Sequence, residues 1–352
     1  MAISKQRSYH EQIDIKNTTK LRNLIEDMPE FIHDFFRGIE QTRSSRTRIA
    51  YAYDLRIFFD YLFKNHKDFK DSSYETLTLS MIELLSPKDL ERYMEYLKYY
   101  EKDEDEHLNQ IEGIMRKIST IRTFYSYFYR RELIKYNPAA LIEMPKKHDK
   151  VIVYMEADEV ANLLDLIDSG ENLTKRQKDY HAHTRKRDLA MIMLMLGTGI
   201  RVSECVGIDI TDVDLKSCGI KIHRKGGKEV VIYFGDEVEE VLRNYMEERE
   251  HIFAKEGHEN ALFLSMQRKR ISVRSVELLV KKYTQLSVQL KKITPHKLRS
   301  TYGTNLYQET GDIYLVADVL GHEDVNTTKK HYAAINDNKR RKARNVVRLR
   351  KE

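Results

Sequence analysis

The sequence predicts a mainly α-helical protein that carries one small β-sheet, an α+β fold. Apolar residues recur every three or four positions along most of the chain, which is the spacing of helices with one buried face. Proline, which interrupts helices, occurs only 5 times in 352 residues. The alternation that is typical of strands occurs on the two sides of one glycine turn. A single core rarely exceeds about 250–300 residues, so we expect two domains.

The N-terminal part of the chain is expected to begin as a frayed arm and to continue as helices. Residues 1–20 are polar and form the predicted arm, whereas 21–37 carry an apolar stripe that Pro29 divides. Ser44 or Ser45 can cap the next helix, which has a strongly apolar face. Cations at this end oppose the helix dipole, so they are either a solvated basic turn or phosphate contacts. The candidate DNA-binding residues here are Arg43, Arg46 and Arg48.

Two further helices are predicted in this half of the chain. Ser86-Pro87 is a typical helix start, with proline at the first helical position. The acidic run 101–106 is expected to be a solvated loop, and 108–129 is predicted to be a long helix with a continuous apolar stripe. We assign the basic residues of this helix to the opposite face, where they are weaker candidates for DNA contacts. They are Lys117 and Arg122, beside Arg116.

A linker separates the two predicted domains. Residues 144–150 combine a helix-ending proline with a run of charges, and they offer nothing to a core. We therefore predict domains at 1–147 and 148–352. In the second domain we expect helices at 157–169, 188–196, 238–250 and 275–286, a basic insertion at 174–187, and a hairpin with strands at 220–223 and 230–234.

The composition predicts a soluble globular protein of the cytoplasm. The net charge is +6 and the pI is about 8.9, which is compatible with a polyanion as partner. Cys205 and Cys218 are the only cysteines, as expected for reduced thiols. No apolar run approaches the about 20 residues of a transmembrane helix, so no membrane partner is expected. The segment 338–351 carries eight Lys or Arg and no acid.

A glycine turn precedes the first candidate site residue. In G-T-G-I-R-V-S-E, residues 197–204, two glycines allow a sharp turn and Arg201 opens a new helix. A guanidinium in this place can present a planar fork to a phosphate. Glu204 lies one turn later, where it can orient the arginine. A purely structural Arg–Glu pair is the alternative interpretation.

The tip of the predicted hairpin, K-G-G-K at 225–228, is a second cationic site. A lysine on a tight β-turn can reach into a groove and donate a proton. Lys225 is the first candidate for this role, and Lys228 is the second. The tip is not a P-loop, because G-x-x-x-x-G-K-[ST] is absent. An ordinary exposed hairpin is the alternative.

The stretch 294–332 holds the remaining candidates. His296 and Arg299 are spaced to share one helical face, and Tyr332 lies ten residues after His322. A phenol that attacks phosphorus produces a crowded, charged transition state, which needs fixed cations and a proton acceptor. A zinc site is the rival explanation for the histidines. It is not predicted, because neither H-x₃₋₅-H with cysteines nor H-E-x-x-H occurs.

The order Arg…Lys…His-x-x-Arg…His…Tyr resembles the tyrosine recombinase family, which includes the integrases and the Xer proteins. The segments T-G-I-R-V-S-E, R-K-G-G-K, T-P-H-K-L-R and L-G-H-E-D are similar to that family's boxes in order and spacing, over about 188–332. The layout is most similar to the single-recombinase XerS group. That similarity includes the long N-terminal domain, the basic insertion before Arg187 and the segment A-L-F-L-S at 261–265.

The resemblance implies a role for each matched residue. Tyr332 is the nucleophile and forms a 3′-phosphotyrosyl link, while Arg201 and Arg299 bind the non-bridging oxygens of the scissile phosphate. Lys225 protonates the 5′-oxygen leaving group, and His296 transfers a proton to or from the tyrosine. No metal, nucleotide or other cofactor is implied, because the phosphotyrosine conserves the bond energy. The other implied roles are a phosphate hydrogen bond from His322 and support of Arg201 by Glu204.

The resemblance also implies an architecture and partners. A helical, SAM-like core-binding domain and a catalytic domain would form a C-shaped clamp on double-stranded DNA with a partly palindromic core site. A homotetramer on paired sites is implied, with a cell-division DNA translocase as a candidate partner. The C-terminal tail is expected to dock on a neighbouring subunit, and a disordered basic arm on DNA is the alternative.

Some residues depart from the family's pattern. Ser300 follows Arg299 where many relatives have histidine, His331 precedes Tyr332 where an apolar residue is common, and the spacing to Tyr332 is one residue longer than is frequent. We expect a site-specific recombinase of the Xer type that resolves chromosome dimers. The alternatives are an integrase or transposase of a mobile element, an inactive DNA-binding accessory protein and a type IB topoisomerase.

Overall fold

The protein is mainly helical and carries two small antiparallel sheets, which confirms the predicted α+β class. The computed structural model describes residues 8–102, 104–146, 152–224, 227–288, 291–322 and 324–332. The chain divides into two compact units, Met1–Asp149 and Lys150–Glu352, which we call unit 1 and unit 2. The predicted DNA-binding and catalytic roles of the two domains stay predictions here. Within the described ranges, no helix is both long and apolar enough to cross a membrane.

Unit 1 packs its helices around an aromatic core. Phe35, Phe58 and Phe124 are fully buried. The rings of Phe35 and Phe124 meet edge to face with their centroids 5.4 Å apart. The elements are α1 (Tyr9–Ile25), α2 (Glu30–Gly38), α3 (Ser45–Asn65), α4 (Leu79–Glu83), α5 (Pro87–Tyr96), β1 (Tyr99–Lys102), β2 (Asp105–Leu108) and α6 (Ile111–Tyr129).

The predicted helix starts in unit 1 are confirmed. Pro29 is the residue before α2 and separates it from α1. Ser44 caps α3 by accepting a hydrogen bond from the backbone N–H of Thr47. Ser86 precedes α5, and the carboxylate of Asp89 accepts from its backbone N–H at 3.0 Å. Local cap chemistry therefore fixes these boundaries.

Two predictions for unit 1 are wrong. The polar arm is helical from Tyr9, because Ser8 and Glu11 form a reciprocal capping box at the start of α1. The acidic run is not a loop, because its residues 101–102 and 105–106 pair in the antiparallel strands β1 and β2. Tyr100 points inward from this hairpin and is 6% exposed. The inward ring of Tyr100 and the ion pair between Lys102 and Asp60 connect this hairpin to the rest of unit 1.

Unit 2 is built around α9 and a three-stranded antiparallel sheet with the order β3-β4-β5. Ile220 and Ile232 pair across β4 and β5 and are both buried, which confirms the predicted hairpin. The predicted basic insertion is largely helical. The elements are α7 (Ala157–Ser169), α8 (Lys175–His181), α9 (Arg185–Thr198), α10 (Val202–Gly207), β3 (Val213–Asp214), β4 (Gly219–His223), β5 (Glu229–Tyr233), α11 (Asp236–Glu250), α12 (Val273–Ser287), α13 (Pro295–Thr310), α14 (Ile313–Leu320) and α15 (Val325–Tyr332).

Candidate active site

Three arginines from distant parts of unit 2 donate hydrogen bonds to consecutive backbone carbonyls at the C-terminal end of α14, those of residues 318–321. The last carbonyls of a helix have no partner within the helix, and they form the negative end of the helix dipole. This end therefore attracts cations. We call the three guanidinium groups and these four carbonyls the α14 cluster; its arginines are Arg201, Arg224 and Arg299.

Arg201 precedes α10 and is held from two sides. Its Nη1 donates to Oε1 of Glu204 at 2.8 Å, and its backbone N–H donates to Oε2 at 2.7 Å. Its Nη2 reaches the carbonyl of Gly321 at 3.4 Å. The side chain of Arg201 is 40% exposed, whereas that of Glu204 is 5% exposed. The predicted Arg–Glu pair is thus present, and its guanidinium stays partly open to solvent.

Arg299 lies on the second turn of α13 and is 5% exposed. Its Nη1 donates to the carbonyl of Gly199 at 2.7 Å, and its Nη2 donates to the carbonyl of Leu320. Gly199 has φ +65°, and a Cβ there would collide with the side chains of Tyr302 and Leu320. The glycine turn therefore permits the close packing that lets Arg299 join the segment before Arg201 to the end of α14.

Arg224 was not among the predicted site residues. It directly follows β4, and its guanidinium crosses to α14. Nη1 donates to the carbonyl of Asp318 at 3.4 Å, and Nη2 donates to that of Val319 at 2.6 Å. The segment R-K-G-G-K drew attention to its lysines. No pattern in the sequence relates Arg224 to carbonyls 94 and 95 residues away.

His322 lies between the α14 cluster and the helix that ends at Tyr332. Its backbone N–H donates to the carbonyl of Ala317 at 2.9 Å, which closes the turn after α14. Its Nδ1 lies 2.6 Å from Oγ1 of Thr328, a fully buried residue of α15. Thr328 was also missed. The signal available in the sequence was its position four residues before Tyr332, which places both on one face of a helix.

The structure brings Arg201, Arg299 and His322 to one end of α14. His296 is exposed on the first turn of α13, one turn before Arg299. Tyr332 is the last residue of α15, but its side chain lies outside the described residues, as Lys225 does entirely. The exposed Lys228 accepts a hydrogen bond at its carbonyl from the backbone N–H of Arg224 at 2.8 Å. The predicted C-terminal docking segment also lies outside the described residues.

Two reactive side chains beside the cluster are kept in their neutral forms. Burial raises the pKa of the Cys205 thiol, and the neighbouring Glu204 raises it further. Burial also raises the pKa of Tyr302, whose ring packs against Gly199. Burial therefore disfavours the ionised form of both side chains.

The predicted basic turn at the start of α3 is only partly on the surface. Arg43 and Arg46 are exposed. The side chain of Arg48 is 11% exposed, and its Nη1 pairs with Oε1 of Glu40 at 2.8 Å. Arg48 therefore links two segments of unit 1, and the exposed candidates for phosphate contacts at this turn are Arg43 and Arg46.

The assignment of Lys117 and Arg122 to an exposed face of α6 is wrong. Lys117 is 6% exposed, and its Nζ donates to Oδ1 of Asn109 at 2.7 Å. It lies at helical spacing between Ile114 and Ile121, within the buried stripe. Arg122 is half-buried, and its guanidinium donates to backbone carbonyls of the segment that follows α6, including the one at residue 139 at 3.1 Å. Both side chains make contacts within unit 1, and their DNA contacts stay predictions.

The comparisons with known proteins agree with this geometry. Residues 153–339 match the phage integrase family, and the chain belongs to that family. It is 33% identical over 326 residues to the tyrosine recombinase XerC of Caldanaerobacter subterraneus, covering 90% of this chain and 85% of the relative. It is 32% identical over 314 residues to the tyrosine recombinase XerD of Staphylococcus epidermidis, covering 88% of this chain and 93% of the relative. The chain is accordingly of the Xer type.

Solved structures share the fold. The Tn1549 transposon integrase in complex with circular intermediate DNA superposes with a TM-score of 0.61 at 18% identity, over 86% of this chain and 94% of that one. The XerH recombinase bound to its difH substrate gives a TM-score of 0.58 at 18% identity, over 82% and 76% of the two chains. Both likenesses concern the fold alone.

Proposed function

We propose that this chain is a site-specific tyrosine recombinase, which cleaves and rejoins DNA through a 3′-phosphotyrosine and exchanges strands through a Holliday junction. The observation that carries the proposal is the α14 cluster. Among the hydrogen bonds given above, its three guanidinium groups meet one carboxylate, that of Glu204, so the cluster carries a net positive charge. His322 and the helix that ends at Tyr332 follow directly in the chain. This is an arrangement suited to a phosphate.

Arg201 and Arg299 would bind the non-bridging oxygens of the scissile phosphate. Both are preorganised: Arg299 is buried with fixed carbonyl partners, and Arg201 is oriented by Glu204. Cations fixed in advance stabilise the charge of the transition state without reorganisation during the reaction. The partly exposed guanidinium of Arg201 leaves room for such an oxygen.

The remaining roles are proton transfers and one hydrogen bond. In the proposed step, the phenol oxygen of Tyr332 attacks phosphorus and gives up its proton, with His296 as acceptor. The bond to the 5′-oxygen breaks, and Lys225 protonates that oxygen, with Lys228 as the second candidate. His322 would donate from Nε2 to a phosphate oxygen when Nδ1 accepts from the hydroxyl of Thr328, which sets the required tautomer. No metal or nucleotide takes part, because the new phosphodiester with tyrosine is the activated species for religation.

Unit 1 would be the core-binding domain, and both units would close on double-stranded DNA as a C-shaped clamp. The exposed Arg43 and Arg46 at the start of α3 are suited to phosphates, since the N-terminus of a helix also attracts anions. A partly palindromic core site, a homotetramer on paired sites and a cell-division DNA translocase belong to the same proposal. So does docking of the C-terminal tail on a neighbouring subunit.

Within this class, we assign the chain to chromosome dimer resolution in the cytoplasm and to the single-recombinase XerS group. The relatives named above carry the names XerC and XerD. The similarity to the XerS group depends on the long N-terminal domain, the basic insertion that forms α8 and the buried segment 261–264.

The test is a nicked DNA duplex that carries the target site and loses a short 5′ fragment after cleavage. We expect the wild-type protein to accumulate a covalent adduct that resists denaturant, and Tyr332→Phe to form none. Tyr314→Phe is the matched control, because Tyr314 is 71% exposed on α14 and should still allow the adduct. An adduct that persists in Tyr332→Phe would contradict the assignment of the nucleophile. A salt-independent affinity for the duplex would contradict the proposed phosphate contacts.

A further inference from the structure

Arg224 connects two segments that are far apart in sequence. Its backbone belongs to the base of the hairpin: its N–H donates to the carbonyl of Lys228 at 2.8 Å, and its carbonyl accepts from Gly227 at 3.2 Å. Its guanidinium donates to the carbonyls of Asp318 and Val319. One residue therefore joins the base of the loop between β4 and β5 to the C-terminal end of α14.

The contact leaves little freedom for the guanidinium. Gly321 has φ +61°, and a Cβ there would collide with the guanidinium of Arg224. Nε of Arg224 is buried and has no hydrogen-bond partner among the described residues. A buried donor without a partner costs free energy. A surface arginine would avoid this cost by turning outward, so the contacts of the guanidinium with residues 318, 319 and 321 hold Arg224 in place.

We propose that Arg224 is a positioning residue of the cleavage reaction. By fixing the base of the hairpin loop to the end of α14, it restrains the backbone from which the next residue in the chain, Lys225, extends. Arg224 itself touches neither the phosphate nor the leaving group. This inference rests on the proposed function, in which Lys225 is the general acid.

The chemistry of the leaving group separates this role from general damage to the site. When Tyr332 attacks phosphorus, the bond from phosphorus to the 5′-oxygen breaks, and that oxygen leaves with a proton from the Lys225 ammonium. When sulfur replaces the bridging 5′-oxygen of the substrate, the 5′ strand end leaves as a thiolate, which needs no proton. Loss of the general acid therefore slows cleavage of the oxygen substrate far more than cleavage of the sulfur substrate.

The experiment measures single-turnover formation of the covalent adduct on both substrates. Arg224→Met keeps most of the stem and removes the donors. We expect it to slow cleavage of the oxygen substrate about 10²-fold, near the lower end for loss of general acid catalysis. On the sulfur substrate most of this loss should disappear. Arg224→Lys should recover part of the rate on the oxygen substrate, and Lys225→Ala should behave as Arg224→Met does.

Two controls make the outcome decisive. Arg270 also donates to backbone carbonyls, those of residues 206 and 208, so Arg270→Met reports structural damage, and sulfur should not restore its rate. Arg201→Met removes phosphate binding, and sulfur should not restore it either. An equal loss for Arg224→Met on both substrates, or no loss on the oxygen substrate, would overturn the role of Arg224. Absence of any wild-type adduct on either substrate would instead overturn the proposed recombinase.

Discussion

The α14 cluster of unit 2 holds its cations mainly with backbone carbonyls, whereas a buried charged cluster in unit 1 is centred on a carboxylate. In unit 1, the fully buried carboxylate of Asp54 accepts from Nη2 of Arg116 at 2.7 Å and from the hydroxyl of Thr120 at 2.8 Å. Lys117 lies close enough for its charge to act on Asp54. In unit 2, the guanidinium groups bind neutral carbonyls, and Glu204 is the one carboxylate paired with them among the hydrogen bonds described above.

This difference separates a structural use of charge from a functional one. A carboxylate offsets the charge of the cation that it binds, so Asp54 offsets one of the two positive charges of the unit 1 cluster, and Glu204 offsets one of the three in the α14 cluster. Carbonyl dipoles orient a guanidinium without cancelling its charge. The α14 cluster therefore stays positive, and a phosphate is a fitting partner for it. Basic residues counted in a sequence do not reveal which of the two situations applies.

The largest effect is expected for Arg299→Met in the α14 cluster. Loss of one preorganised cation from a transition state costs about 10²–10³-fold in rate, so adduct formation should fall by that factor. The measurement is single-turnover cleavage of the nicked duplex, with the thermal midpoint recorded alongside. Arg249→Met is the control, because Arg249 is also buried and also donates to carbonyls, at residues 252, 259 and 261, away from the cluster. A similar loss of cleavage in both variants would contradict a special role for the α14 cluster.

The unit 1 cluster should respond in stability rather than in chemistry. Arg116→Met removes the ion-pair partner of the buried Asp54, and since Arg116 is itself half-exposed we expect a loss of about 2–3 kcal/mol, below the range for fully buried pairs. Arg37→Met, which breaks an exposed pair with Asp34, should cost no more than about 0.5 kcal/mol. Denaturant unfolding of the two variants measures both values. Equal losses of unfolding free energy in the two variants would show that the buried pair stabilises the protein no more than the exposed pair does.

The unfolding free energy of Arg116→Met should also depend on pH differently from that of the wild type. Burial raises the pKa of Asp54 already in the wild type, and the positive charge of Arg116 opposes that rise. Without the arginine the pKa rises further. An acid whose pKa is higher in the folded state binds more protons when folded, so stability grows as the pH falls. The deficit of Arg116→Met relative to the wild type should therefore shrink between pH 7 and pH 5, and a constant deficit would contradict this account.

A smaller effect is expected for Gly321→Ala at the end of α14. The left-handed backbone costs a residue with Cβ about 1–2 kcal/mol, and crowding against Arg224 adds to this. Gly257→Ala is the matched control, because Gly257 has φ +79° with open space around it and so reports the backbone cost alone. The excess of Gly321→Ala over Gly257→Ala should diminish in an Arg224→Met background. If the excess is unchanged in the Arg224→Met background, the crowding at residue 321 does not come from Arg224.

The smallest effect concerns the buried Lys117. Burial lowers its pKa, so the folded protein holds fewer protons at this residue than the unfolded chain does below about pH 10.4. Stability contributed by Lys117 then rises with pH through the window beneath that value. Relative to Lys117→Met, the wild type should therefore gain stability between pH 8 and pH 10, by less than about 1 kcal/mol. Lys88→Met, at an exposed lysine, is the matched control.

Local features of the fold could be predicted because local interactions decide them. Caps at Ser44 and Ser86 and the glycine turn between β4 and β5 depend on neighbours in the sequence. The acidic hairpin was missed, because its contacts with the rest of unit 1 are tertiary ones, the inward ring of Tyr100 and the pair of Lys102 with Asp60. Lys117 was misplaced, although its spacing from Ile114 and Ile121 put it within the apolar stripe. The charge of the lysine favoured an exposed face, whereas its helical spacing indicated the buried face, and the spacing was the better guide.

The sequence by itself determined which chemical groups occur and in what order: the arginine after the glycine turn, the cationic hairpin, the His-x-x-Arg helix and the final histidine and tyrosine. Only the tertiary structure decided which cations stay charged and where they meet. The carbonyls that orient Arg201, Arg224 and Arg299 lie 120, 94 and 21 residues away, and such a distance leaves no local pattern. A cation keeps or loses its effective charge according to the partner that the fold supplies.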